Sequence, residues 1–131
     1  MKKLLVVGAT VAVSVGLISG ISSASHGPNH GLCDNPTIKA QEGDNITFGT
    51  RGKDVIKGTN GPDTIHGGGG DDKLCGNKGT DRILGDGGDD RMAGGHANDR
   101  LIGENGTDRA NGMGGTQDYC KAEHERRCEQ N

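Results

Sequence analysis

Apolar residues are scarce in this chain, yet from Gly49 onward one recurs at every ninth residue: Ile56, Ile65, Leu74, Ile83, Met92, Leu101, Ala110 and Tyr119. Each holds position eight of a nine-residue unit that reads eight times without insertion, ending at Cys120. Position one is always glycine: Gly49, Gly58, Gly67, Gly76, Gly85, Gly94, Gly103 and Gly112. Position four is Gly52, Gly61, Gly70, Gly79, Gly88, Gly106 and Gly115, with Ala97 departing. Position six is Asp54, Asp63, Asp72, Asp81, Asp90, Asp99 and Asp108, then Gln117, so the eighth copy is decayed at its aspartate. A lone apolar residue between polar ones fits a short strand with one buried face, position eight inward and positions seven and nine outward. The six residues before it should turn.

The unit follows G-G-x-G-x-D-x-U-x, most closely at Gly67 to Cys75 (GGGGDDKLC) and Gly85 to Ala93 (GDGGDDRMA). Over residues 49–120 the chain resembles the RTX-type (haemolysin-type) calcium-binding nonapeptide repeat proteins. The resemblance implies an all-β fold, a parallel β-roll (β-solenoid) of about eight nonapeptide repeats with short N- and C-terminal caps, and calcium as its ligand.

In such a roll two units make one coil, and alternate units stack on the same edge at a strand spacing of about 4.8 Å. One edge then carries Asp54, Asp72, Asp90 and Asp108, and the other Asp63, Asp81 and Asp99. Stacked carboxylates repel one another, and glycine turns leave main-chain carbonyls without partners. A hard cation taking six to eight oxygens answers both. Same-edge pairs give five expected calcium sites: 54/72, 72/90, 90/108, 63/81 and 81/99. Expected ligating residues are these seven aspartates with Gly49, Gly52, Gly58, Gly61, Gly67, Gly70, Gly76, Gly79, Gly85, Gly88, Gly94, Gly103 and Gly106. The glycines permit positive φ and close approach of carbonyl to ion. Asp118 is left out, because the period sets it outward on a strand. Asp71, Asp89 and Asp86 read as solvated neighbours. Magnesium needs a smaller octahedron, and zinc prefers nitrogen and sulfur.

Composition sharpens this picture. The formal net charge is −3, and Phe48 and Tyr119 are the only aromatics, with no tryptophan. A basic nucleic-acid footprint is absent. Low apolar content with abundant glycine would by itself suggest disorder, but the registered period argues otherwise from Gly49 onward. So small a core makes metal binding and folding a single expected reaction. Lys2 and Lys3, the apolar run Leu4 to Ile21 and the small-residue exit Ser22 to Ser25 read as a cleaved secretory signal peptide. The expected organisation is therefore 1–25 signal peptide, 26–48 N-terminal segment and cap, 49–120 roll, 121–131 C-terminal cap. No second long apolar stretch follows, so the mature chain is expected to be secreted and extracellular, without a membrane span. The family usually leaves the cell through a one-step exporter with a C-terminal signal. An N-terminal leader instead implies passage as an unfolded chain and folding outside, where calcium is plentiful.

Four cysteines behind a leader imply two disulfides. Cys75 and Cys120 lie five units apart, on opposite sheets of the roll and beyond disulfide reach. Two pairings remain: Cys33–Cys75 with Cys120–Cys128, or Cys33–Cys120 with Cys75–Cys128. The first is preferred because Cys120–Cys128 is local, closing a hairpin or helical turn in a tail whose Ala, Glu and Arg favour helix.

Position seven carries Arg82, Arg91, Arg100 and Arg109, extended by Lys73. The row could meet an anionic cell surface or polysaccharide, although a solvated strand face that blunts edge pairing accounts for it more simply. His26, His30 and Cys33 are too loosely spaced for a transition-metal site. No nucleophile, base and orienting residue fall together, so no enzyme is expected. The reading is a calcium-binding protein; the alternatives are a structural or adhesive cell-surface spacer and a remnant module of a larger RTX exoprotein.

Overall fold

The computed structural model describes residues 31–41 and 46–128. The leader and the tip of the expected C-terminal cap lie outside them. Eleven strands follow one another in chain order: β1 (Ile38–Lys39), β2 (Ile46–Phe48), β3 (Val55–Lys57), β4 (Thr64–His66), β5 (Lys73–Lys78), β6 (Arg82–Gly87), β7 (Arg91–His96), β8 (Arg100–Asn105), β9 (Arg109–Gly114), β10 (Tyr119–Lys121) and β11 (His124–Arg126). Odd strands form one parallel sheet, β1-β3-β5-β7-β9-β11, and even strands the other, β10-β8-β6-β4-β2. Successive units alternate between the sheets. The molecule is a parallel β-solenoid with no helix among the described residues, as the period predicts.

Position eight builds the interior. Ile56, Leu74, Met92 and Ala110 from one sheet face Ile65, Ile83, Leu101 and Cys120 from the other in a single buried cluster. Each stacks on its counterpart eighteen residues away, as in Ile56↔Leu74 and Ile83↔Leu101, except Cys120, which meets Leu101 at nineteen. A buried row of one residue type per coil is what a two-residue side-chain period demands when the opposite face is wet.

Three expectations need correction. The strands are not uniformly three residues long: β5 to β9 each run six, through position three of the next unit. The chain bends within them at position two, where Asn77 (φ 80°), Asp86 (67°), Gly95 (126°), Glu104 (74°) and Met113 (74°) are left-handed. Position nine points away from the core but is not solvated throughout: Cys75, Leu84 and Ala93 are buried. Cys75 and Ala93 lie beneath Cys33, with Leu32, Val55 and Met113 packed around them. The N-terminal segment thus crosses the outer face of the odd-strand sheet, tied down by the Cys33–Cys75 disulfide.

The third correction concerns the end of the period. The eighth unit holds one extra residue, so Tyr119 pairs with Arg100 and Cys120 with Leu101. Cys120, not Tyr119, takes the core position. A slip of one residue exchanges inner and outer side chains, and here it keeps a phenol out of an apolar interior that offers its hydroxyl no partner. Tyr119 lies outside instead, with the Arg100 guanidinium 4.5 Å from its ring. The tail is strand, not helix: β11 pairs with β9, and a Cys120–Cys128 disulfide closes it. At the other end Ile38 packs against the core, whereas Ile46 and Phe48 stay exposed and Phe48 stacks on His66.

Candidate calcium sites

Each position-six aspartate immediately precedes a strand, just where the chain turns into the sheet, and is buried there. One oxygen of each has a main-chain partner. Asp54 N–H donates to Asp72 Oδ1 (2.7 Å), Asp72 to Asp90 (2.8 Å) and Asp90 to Asp108 (2.9 Å). On the other edge Asp63 donates to Asp81 (2.9 Å) and Asp81 to Asp99 (2.9 Å). The five aspartate pairs named from the sequence are thus brought together, the later carboxylate of each pair accepting the main-chain N–H of the earlier aspartate one coil away.

The second oxygen is different. Oδ2 of Asp72, Asp81, Asp90, Asp99 and Asp108 is buried with no hydrogen-bond partner. A buried carboxylate oxygen left bare costs several kcal/mol by order of magnitude unless something positive meets it. Burial accordingly pushes Asp81 and Asp90 up to about 7 and Asp72 and Asp99 up to about 6, with backbone N–H donors opposing and the stacked like charges adding. Asp108 is raised for the same leading reason.

The position-one glycines supply the other half of the cradle. A Cβ on Gly67 would stand 2.6 Å from Asp72 Oδ2 and 2.6 Å from the Gly85 carbonyl oxygen. At Gly58 it would meet the Gly76 carbonyl at 2.6 Å and Asp63 Oδ2 at 2.7 Å. Gly76, Gly85, Gly94 and Gly103 are likewise crowded by the carboxylates of Asp81, Asp90, Asp99 and Asp108. Position one therefore needs glycine for space, and position four for its left-handed backbone: Gly70, Gly79, Gly88 and Gly106 have φ between 96° and 132°. Ala97 adopts the same turn at φ 78°.

These oxygens suit one kind of ligand. Among the described residues no three His, Cys, Asp or Glu side chains converge in the manner of a transition-metal centre. What converges is one carboxylate oxygen with main-chain carbonyls, the donor set of a hard cation with flexible coordination. Calcium fits.

Sequence reasoning set Asp118 aside as outward-facing, and the structure reverses that. The residue is buried and takes the place of Gln117, its Oδ1 accepting the Asp99 N–H at 2.9 Å. The missed signal was its neighbour Tyr119, too large and too polar for the core slot the period assigned. On the other edge Glu123 closes the row, its Oε2 accepting the Asp108 N–H at 2.8 Å from an exposed position. Asp71 pairs with Lys53 and Asp86 with His66.

The RTX calcium-binding nonapeptide repeat family, described as a run of four copies, matches residues 48–83 and 84–116, together more than half of the chain. The chain belongs to that family. The second match stops just short of Gln117, where the register slips. No curated protein and no solved structure matches the chain.

Proposed function

We propose that this chain is a secreted calcium-binding protein whose roll folds as it takes up about five calcium ions, one for each buried, unpartnered carboxylate oxygen. That row of bare oxygens is the observation carrying the reading. Asp54, Asp63, Asp72, Asp81, Asp90, Asp99 and Asp108 are its acidic ligands or supports, with glycine carbonyls of neighbouring coils. When bound, calcium supplies the positive charge that the carboxylates and turn carbonyls lack. The protein's own residues hold the cradle open, space it by the strand ladder and exclude bulky side chains. The role is binding, not catalysis. Two disulfides suit an oxidising compartment, and the leader-like residues 1–25 supply a route to it.

Circular dichroism of the chain in chelator and in millimolar calcium tests the reading. A largely unstructured spectrum should become β-rich with calcium, and magnesium at the same concentration should not substitute. Identical spectra with and without calcium would refute coupled folding.

A further inference from the structure

We infer that the disulfide-tied tail completes a sixth calcium site, built on Asp118 and the Arg127 main-chain carbonyl, whose occupancy depends on the Cys120–Cys128 bridge. The inference rests on the calcium reading above. In the central units the cradle has two walls around a position-one glycine: the aspartate Oδ2 of the same unit and the carbonyl oxygen of the position-one residue one coil on, as with Asp72 and Gly85 around Gly67. Gly112 has the same two walls. A Cβ there would run into Asp118 Oδ2 on one side and, at 2.5 Å, the Arg127 carbonyl oxygen on the other.

Arg127 is no glycine and lies outside the repeat, but the pairing His124↔Arg109, Glu125↔Ala110 and Arg126↔Asn111 brings it to the position-one place of a shortened last half-coil. Unlike the position-one glycines, it is left-handed, at φ 51°. Asp118 is 3% exposed. Its Oδ1 is engaged by Asp99 N–H, and its Oδ2 accepts no hydrogen bond from the described residues. The Asp118 side chain, set with the Arg127 carbonyl around Gly112, repeats the cradle geometry of the units beneath it, while its Oδ2 is not among the five oxygens that are both fully buried and bare. The first edge has no equivalent, because the carboxylate that ends it, Glu123, is exposed.

The bridge enters through geometry. Cys120 is two residues after Asp118, and Cys128 immediately follows Arg127, so the disulfide joins the two walls of the site. β11 is a three-residue edge strand, and such a strand is marginal without a tie. Reduction should free the Arg127 carbonyl while leaving the lower coils intact.

Tyr119 makes the test specific, since it is the chain's only tyrosine and there is no tryptophan. Terbium replaces calcium at oxygen sites, and emission excited through tyrosine reports the ion nearest Tyr119. The oxidised chain should bind six ions by calorimetry and give strong tyrosine-sensitised emission. Asp118→Asn should bind one ion fewer and lose most of that emission, while its calcium-induced β signal remains. The Cys120→Ser/Cys128→Ser variant should match it; mild reduction of the unaltered chain provides the same comparison if that variant does not fold. An unchanged ion count and emission in Asp118→Asn would overturn the site and leave the five-ion roll standing. Loss of the ion in Asp118→Asn but not on reduction would overturn the role of the bridge. No calcium binding by the unaltered chain would overturn the underlying reading as well.

Discussion

The first coil and the central coils use the same residues at positions one, four and six, yet satisfy their carboxylates differently. In the first coil, position two is threonine. Asp54 Oδ2 receives the Thr50 N–H (2.6 Å) and hydroxyl (2.8 Å), and Asp63 Oδ2 receives the Thr59 N–H (2.7 Å) and hydroxyl (3.1 Å). The threonine oxygens also accept the Gly52 and Gly61 N–H groups at 3.1 Å, forming side-chain turns with ordinary backbone angles at position four. From Gly68 onward position two is left-handed in every unit through Met113, no threonine occupies it, and five Oδ2 atoms are bare. A hydroxyl and a turned N–H do in the first coil what an ion must do in the others. The strands follow suit, three residues in β3 and β4 against six in β5 to β9. Repeat identity therefore does not make sites equivalent; the residue at position two divides carboxylates that are content alone from those that require a cation.

The largest contrast should come from the aspartates. Asp90→Ala strips the Asp72 N–H of its acceptor and removes one of the bare oxygens. Leaving that buried N–H unpaired costs about 1–3 kcal/mol, and because folding takes up about five ions together, each 1.4 kcal/mol should raise the calcium concentration needed for folding by only about 1.6-fold. Calorimetry should also find fewer bound ions. Asp54→Ala, whose oxygens already have threonine donors, should shift the titration much less; the reverse ranking would show that the two regions do not differ as described.

Next in size is the response to pH without metal. The folded pKa values of Asp72, Asp81, Asp90 and Asp99, at about 6 to 7, lie above the ordinary carboxylate value of 3.8. The folded chain therefore holds protons that the unfolded chain has released, and this stabilisation is full below the unfolded value and lost as pH rises through about 6–7. Calcium-free protein should gain β signal on acidification from about pH 8 to pH 5. In calcium the trend should reverse, protons competing with the ion. A metal-free spectrum that does not change across this window would mean that the central carboxylates are not buried in the folded chain.

Glycine substitutions sharpen the same division. Gly70→Ala, at position four of a central unit, puts a methyl on a left-handed backbone (φ 96°) and 2.8 Å from the Gly52 carbonyl carbon, an overpacking cost of about 1–3 kcal/mol. Gly52→Ala meets only Thr50 Oγ1, at 3.9 Å, with an ordinary φ, and should be neutral or stabilising by about 0.4–1 kcal/mol. Thermal melts in calcium decide between them, and equal losses would contradict the two turn types. The smallest effect is that of Thr50→Val, which removes a hydroxyl from Asp54 Oδ2 and from Gly52 N–H at a cost of about 0.5–1.5 kcal/mol. The ion count should not change, and a lost ion would place a calcium in the first coil where the threonine donors stand.

Period and residue type determined a great deal. Glycine, aspartate and one apolar residue in a fixed nine-residue order leave a chain this poor in apolar groups one way to bury them, so the two parallel sheets, the stacked Ile56 to Ala110 and Ile65 to Leu101 rows and the same-edge aspartate pairs are legible from spacing. The cysteines are legible in part: a coil of two units sets Cys75 and Cys120 on opposite sheets and excludes that bridge, and of the two pairings left open the one preferred for its local Cys120–Cys128 link is the one found, Cys33–Cys75 with Cys120–Cys128. Tertiary structure alone decided the rest. An extra residue in a turn costs little chain entropy and can be absorbed anywhere, so only packing could settle whether Gln117 or Asp118 enters the turn and whether Tyr119 or Cys120 enters the core. Burial of Cys75 and Ala93 depends on Leu32 and Cys33 arriving from outside the period. The threonine donors became visible only when backbone angles placed Thr50 and Thr59 beside Oδ2, because a periodic sequence states which residues recur but not which hydrogen bond each turn closes.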